Sequence, residues 1–299
     1  MTEPLHDHDI LTRFLLPHAG VRGVRVHLDE AWAQVRSRDD HGQAVTELLG
    51  EALAAAALFT GHAKVDGRLS VQLRGEGALR TLFAECTAGG TVRGIARVEG
   101  EAPASRDLRT LGGDAVLAIT IENPTGPGRE PVRYQGLVAL DAHSLAGAFE
   151  GYFRQSEQLP TRLLLAADDA RAAGLLLQKL PGDEGDEDGW NRASVLFDTL
   201  QADELLELPA AVLLHRLFHE EGVQVLGERS LRFGCSCSRE RVSAMLRSLG
   251  EDEARAALVD GRAEVRCEFC GERYHFDPDE IEALFDLPDP NSASPDLLQ

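Results

Sequence analysis

Four of the chain's five cysteines fall in two tight pairs near the C-terminus, Cys235-Ser236-Cys237 and Cys267-Glu268-Phe269-Cys270, separated by 29 residues. Any fold of this stretch has to accommodate that clustering. Four closely paired thiolates complete a tetrahedral metal shell, with zinc the default occupant. The same sulfurs can close instead into two local disulfides, so redox conditions choose the state. The stretch from Arg232 to Leu287 is about 55 residues long, near the lower limit for a self-sufficient core, and a structural metal would supply much of its stability. On spacing alone a static zinc clip, a redox switch, a nucleic-acid finger and an iron–sulfur site all remain open. The C-x-C pair is the unusual element, because thiols one residue apart form a strained ring that favours reversible chemistry.

Charge narrows these readings. The 299-residue chain has 30 Lys and Arg against 50 Asp and Glu, a formal charge of −20. A surface this acidic repels phosphate backbones and stays soluble when apolar patches open. Residues 229 to 273 carry nine arginines against eight acids, which is no nucleic-acid footprint. A closed four-sulfur shell leaves no position for a reactive water, which argues against a zinc hydrolase. No phosphate loop, dinucleotide fingerprint or Ser-His-Asp signature is present, and the chain is expected not to be an enzyme. With no apolar run of about 20 residues and no basic-then-apolar leader, no membrane span or secretory signal is expected. A cytoplasmic protein follows, in which paired cysteines are reduced, metal-bound or redox-sensing.

The pattern upstream predicts an α+β fold in four parts: an N-terminal mixed α/β-sheet domain over 1–180, a helical linker over 181–231, a four-cysteine zinc domain over 232–287 and a disordered tail over 288–299. Val45, Leu48, Leu49, Ala52, Leu53 and Ala56 recur at helical spacing, with Gly61 as the expected stop. Leu69, Val71 and Leu73 alternate with polar residues as a half-buried strand. Further strand-like runs lie at 79–84, 92–98, 115–121, 134–140, 162–166 and 175–180, and Ser144 reads as the N-cap of a helix. Five acids between Asp183 and Asp188 mark a solvated hinge. Beyond it, Trp190, Ala193, Leu196, Phe197 and Leu200 form one apolar helical stripe, and Val212, Leu213 and Leu217 a second past Pro209. Both stripes are shorter than the roughly 12–15 residues an isolated helix needs, so they must dock to fold. Cys86 sits in an apolar run as a core thiol. His215 and His219 lack a third metal ligand in sequence. Asp277-Pro278-Asp279-Glu280 opens a last helix.

Several segments together resemble one family. They include Arg13-Phe14-Leu15, Asp66-Gly67-Arg68-Leu69-Ser70-Val71-Gln72-Leu73, Arg93-Gly94-Ile95-Ala96-Arg97, Ser156-Glu157-Gln158-Leu159-Pro160-Thr161-Arg162 and His219-Glu220-Glu221. Above all they include Phe233-Gly234-Cys235-Ser236-Cys237-Ser238-Arg239-Glu240-Arg241 and Cys267-Glu268-Phe269-Cys270-Gly271 with Tyr274. The chain resembles the bacterial redox-regulated holdase chaperones, the 33-kilodalton heat shock protein family, from Leu11 to Phe285. Only the segment Gly61 to Val65 is more polar than the family's usual pattern. The resemblance implies an ATP-independent chaperone that is inactive while Cys235, Cys237, Cys267 and Cys270 hold one Zn(2+) per chain. Under oxidative and heat stress it implies disulfides joining Cys235 with Cys237 and Cys267 with Cys270, release of zinc and loss of the linker's fold. A homodimer that holds unfolded or partly unfolded client proteins then results. Trp190, Leu196, Phe197, Leu200, Val212, Leu213 and Leu217 are the expected client-binding residues, with neither nucleic acid nor membrane among the partners.

Overall fold

The computed structural model describes residues 8–38, 40–111, 114–126, 129–182 and 186–286. Residues 183–185 of the expected hinge and the expected disordered tail lie outside these. The chain divides into two compact units, one ending at Gly234 and the other starting at Cys235.

The first unit runs β1 (Ile10–Leu16), β2 (Val21–Leu28), α1 (Glu30–Arg36), α2 (Gln43–His62), β3 (Arg68–Arg74), β4 (Leu79–Thr87), β5 (Thr91–Val98), β6 (Val116–Asn123), β7 (Val132–Val138), α3 (Leu145–Ser156), β8 (Thr161–Ala167), β9 (Ala172–Lys179), α4 (Gly189–Phe197), α5 (Ala202–Glu207), α6 (Ala210–Phe218), β10 (Gln224–Ser230) and β11 (Arg232–Phe233). A five-stranded antiparallel sheet has the order β10-β1-β2-β9-β8, and a six-stranded sheet the order β11-β5-β4-β3-β6-β7, with only β11 parallel to its neighbour. α2 packs between the two sheets. Its alanines 54 to 57 are fully buried, and their small side chains let backbones approach on both sides.

By length and composition α2 would cross a membrane, contrary to the expectation that no such run exists; here that apolarity serves a helix buried inside the sheets. Gly61 is not the helix stop. It lies inside α2, where an added Cβ would come within 2.7 Å of Leu11 Cδ1, and the helix ends when Ala63 turns extended. Ser144 does cap α3, accepting from Gly147 N at 3.2 Å.

The other face of the five-stranded sheet is covered by α4, α5 and α6. Phe14, Leu16, Val21, Leu175 and Leu177 of the sheet meet Phe197, Leu200, Leu205, Leu213, Leu217 and Phe218 in one cluster. Leu200 lies in the turn after α4 rather than in its helix, and the six-residue α5 stands between the two expected segments. Polar groups join the layers. His27 Nε2 lies 2.9 Å from the Leu206 carbonyl, and Arg25 donates to that of Leu208. Arg192 of α4 ties that helix to the segment after α6, donating to both carboxylate oxygens of Glu221 at 2.9 Å and to Asp186.

The second unit contains α7 (Arg239–Leu249), α8 (Glu251–Ala256), β12 (Leu258–Val259), β13 (Arg262–Arg266), β14 (Arg273–Phe276) and α9 (Pro278–Asp286), with a three-stranded antiparallel sheet in chain order. Its core is small: Val242, Leu246, Ala254, Ala263, Phe276 and Ile281. Asp277 and Glu280 cap α9 reciprocally, backbone N–H to opposite carboxylate, at 3.0 and 2.8 Å.

Candidate metal centre

Local backbone geometry builds the thiol site. Ser238 caps α7 by accepting from Arg241 N, and so fixes the exit of the Cys235–Cys237 loop. The second pair occupies the β13–β14 hairpin. There Cys267 N donates to Glu272 O at 2.8 Å and Gly271 N to Cys267 O at 2.8 Å. Gly271 has φ +75°, a left-handed turn that glycine adopts without cost to its side chain.

These two loops face each other. The Sγ atoms of Cys235, Cys237, Cys267 and Cys270 all lie within 4.8 Å of one another, and all four residues are half-buried. The closest approaches run across the pairs, Cys235 to Cys267 at 3.6 Å and Cys237 to Cys270 at 3.2 Å. Four bonds of about 2.3 Å in a tetrahedron place sulfurs roughly 3.8 Å apart, so the donor set fits a single zinc-sized ion and fills its shell. Tyr274 donates its hydroxyl to Cys237 Sγ at 3.2 Å. The thiol acidities are uneven. Burial pushes Cys270 and Cys237 up, whereas for Cys235 the Cys237 backbone N–H and neighbouring thiols outweigh burial and bring it below its usual value. A bound cation would favour the thiolate at all four.

Other expected residues lie in the first unit. Phe197, Leu200, Leu213 and Leu217 are buried against the sheet, Trp190 and Leu196 are half-buried, and Val212 is 51% exposed. Cys86 is fully buried, and burial pushes its thiol up to about 11, the behaviour of a core residue. His215 and His219 stack with ring centroids 5.3 Å apart, and among the described residues no third ligand joins them. Sequence reading passes over two contributors. One is Tyr274 as a hydrogen-bond donor to the site; the other is the pair Phe14 and Phe218, whose rings stack at 6.4 Å where α6 meets β1. An aromatic next to a cysteine-rich hairpin is a usable signal for the first; nothing local marks the second.

Comparison with known proteins agrees with this architecture. The family model described as Hsp33 protein matches residues 9–277. The 33 kDa chaperonin of Ectopseudomonas mendocina is 46% identical over 286 residues, covering 93% of this chain and 95% of that protein. That of Chromobacterium violaceum is 42% identical over 283 residues, covering 94% and 95%. The crystal structure of the Hsp33 homologue from Thermotoga maritima superposes with a TM-score of 0.75 at 24% identity, covering 93% of this chain and 98% of that one, a likeness of fold. With its helix-linked sheets, its C-terminal cysteine cluster and curated relatives named as chaperonins rather than enzymes, the chain belongs to the Hsp33 family.

Proposed function

We propose that this chain is a redox-regulated, ATP-independent holdase of the cytoplasm, silent while its four cysteines hold zinc and active once they are oxidised. The observation that carries the reading is the convergence of four sulfurs within 4.8 Å in a unit whose apolar core has, among the described residues, only six buried side chains. Cys235, Cys237, Cys267 and Cys270 would hold one Zn(2+), which when bound supplies folding free energy and thiolate character. Structural zinc contributes on the order of 10–16 kcal/mol in small peptides, more than a core of this size.

Oxidation converts each local pair. Cys235 with Cys237, and Cys267 with Cys270, each give two electrons to one peroxide as one S–S bond forms per pair; the peroxide leaves as two waters, taking two protons from solvent because the zinc-held sulfurs are already thiolates. The sulfurs can then no longer share an ion, and the small unit loses its anchor. Unfolding passes back through Gly234 into β11, a strand of only two residues, and on to β10 and the linker. Helices of nine, six and nine residues are too short to persist once lifted from the sheet. Trp190, Leu196, Phe197, Leu200, Leu213 and Leu217 then join the already exposed Val212 in facing solvent, each large side chain worth about 1.5–3 kcal/mol when a client covers it. The resemblance adds a homodimer as the oxidised form. The chain's charge of −20 keeps the loaded complex in solution.

The test follows released zinc and the light scattering of a heat-denatured reporter in one sample, during peroxide treatment at elevated temperature. Zinc release approaching one ion per chain, with reporter aggregation falling in step, is expected. Zinc retained, or zinc lost with no protection of the reporter, returns the quartet to a static clip.

A further inference from the structure

The end of α3, the loop after it, β8 and the linker helix α4 line a cleft of about 500 Å³. That volume lies in the range of small-molecule sites, which favour seams between structural parts. Arg154 of α3 and Arg162 of β8 line it from the core, Trp190 and Ser194 of α4 from the linker. The two cations differ. Arg162 is engaged: it donates to Asp198 Oδ2 at 2.8 Å and has Glu150 Oε2 at 4.0 Å. Arg154 is exposed, and among the described residues no carboxylate pairs with it and no acceptor takes its hydrogen bonds. Glu150, one turn earlier on α3, is occupied elsewhere, accepting from Leu163 N at 2.8 Å and lying beside Arg162.

The linker side is also short of partners. Ser194 is 8% exposed, and its Oγ is buried with no hydrogen-bond partner among the described residues. A buried hydroxyl left so is a deficit that a bound molecule can remove. Trp190 is half-buried, and among the described residues its indole N–H has no acceptor. Gln158, in the loop between α3 and β8, lines the same cleft with φ +56°. A residue other than glycine holds that left-handed conformation at a cost, and such strain clusters at ligand clamps.

We infer that this cleft binds a small organic oxyanion carrying a planar ring, with the acid group on Arg154 and the ring against Trp190, and that the bound molecule clasps the linker to the core. One unpaired guanidinium calls for one acid group, and a carboxylate or phosphate meets its fork with two hydrogen bonds. The indole beside it offers a face for a flat ring, while its N–H, the Gln158 amide and the Ser194 hydroxyl are left for polar substituents. A metal cation is not the occupant: the acids here already hold Arg162 and a main-chain N–H, and among the described residues only the four cysteines group as metal ligands. The inference deepens the holdase reading and rests on it only for its consequence. Both sides of the seam make the site, so a linker lifted from the sheet no longer forms it. Ligand at ten times its dissociation constant then lowers the population of open linker about eleven-fold. By the same linkage, oxidation that opens the linker expels the ligand.

The experiment titrates the reduced, zinc-loaded full chain by calorimetry with phenyl phosphate and with benzoate. Inorganic phosphate supplies the charge without the ring, and phenol the ring without the charge. Saturable binding of a ring-bearing acid, one per chain and about ten-fold or more tighter than either control, is expected, and the tighter of the two acids identifies the acid group. Arg154→Gln should weaken it about ten-fold or more; Arg133→Gln, the same loss of charge at an exposed position on β7, should leave it unchanged. No saturable binding, inorganic phosphate or phenol binding as tightly, undiminished binding by Arg154→Gln, or equal loss in Arg133→Gln overturns the site. With ligand at ten times its dissociation constant, amide hydrogen exchange in α4 should slow about ten-fold while that in 235–286 stays as it was. Unaltered exchange in α4 with binding intact overturns the clasp. Oxidised parent chain is assayed in parallel against the heat-denatured reporter. Failure there, with ligand binding and slowed exchange intact, removes the holdase reading and leaves the site standing.

Discussion

At the scale of single residues, the hydroxyl of Tyr274 reaches the thiol cluster from outside the four cysteines and donates to Cys237. A donor on a thiolate is worth about 1.5–3 kcal/mol. Tyr274→Phe keeps the ring and removes the donor, so zinc should transfer to a competing chelator about ten-fold faster, with the fold of the first unit unchanged by circular dichroism. A second residue sets a pH dependence. Burial, opposed by Arg106, raises the Glu51 carboxyl from 4.5 to about 7. Its folded value therefore lies above its unfolded one, and the native state binds the proton more tightly. The stabilising contribution is complete below about pH 4.5 and is lost as pH rises through about 7. Glu51→Gln stays neutral throughout. It should match the parent near pH 4.5 and exceed it at pH 8 by up to about 3 kcal/mol, less whatever the lost Arg106 pairing costs, as read from urea midpoints at the two pH values.

At the scale of elements, the linker is held by two kinds of contact that can be separated by mutation. Its apolar stripes dock on the sheet, and Arg192 ties α4 to Glu221, which is 3% exposed. Arg192→Ala leaves every apolar residue in place but strands a buried carboxylate, at a cost of about 1–3 kcal/mol because Arg192 itself is partly solvated. The variant should suppress reporter aggregation at lower temperature or peroxide dose than the parent and show earlier binding of an apolar dye. Leu196→Ser with Leu213→Ser and Leu217→Ser frees the linker as well but removes its grip; here dye binding and protection of the reporter should both fall. The stripes were legible in sequence because helical periodicity is local. Their partners were not. β2 reads Val-Arg-Gly-Val-Arg-Val-His-Leu, and alternation fails as a signal there because both faces are covered, Arg25 and His27 being buried under carbonyls of the linker. β10 escaped notice because Val225 and Leu226 remain exposed and only pairing with β1 holds it. Gly61 misled because a close approach to Leu11 selects the same residue as a helix stop.

At the scale of the whole molecule, the cysteine spacing announced a metal-sized cluster because donors two or three residues apart are brought together by short loops, whatever fold surrounds them. The division into two units gives that cluster its consequence. The first unit is built on two sheets sharing a buried helix and has a core of several dozen apolar residues; the second, among the described residues, has six. Removal of the metal should therefore affect them unequally. In the reduced chain treated with a strong chelator, amide hydrogen exchange should reach the unprotected limit throughout 235–286 while β2, β3, β4 and β9 keep their protection. Readdition of zinc should restore the second unit. Oxidation of the same sample at elevated temperature should, on the proposed switch, reproduce the chelator pattern in 235–286 and add exchange in α4, α5 and α6. If chelation alone opened α4 to α6 as fully as peroxide does, metal loss would be the whole switch and disulfide formation would serve only to hold it open. If neither treatment opened them, the apolar stripes would stay on the sheet and the client surface would have to lie elsewhere in the first unit.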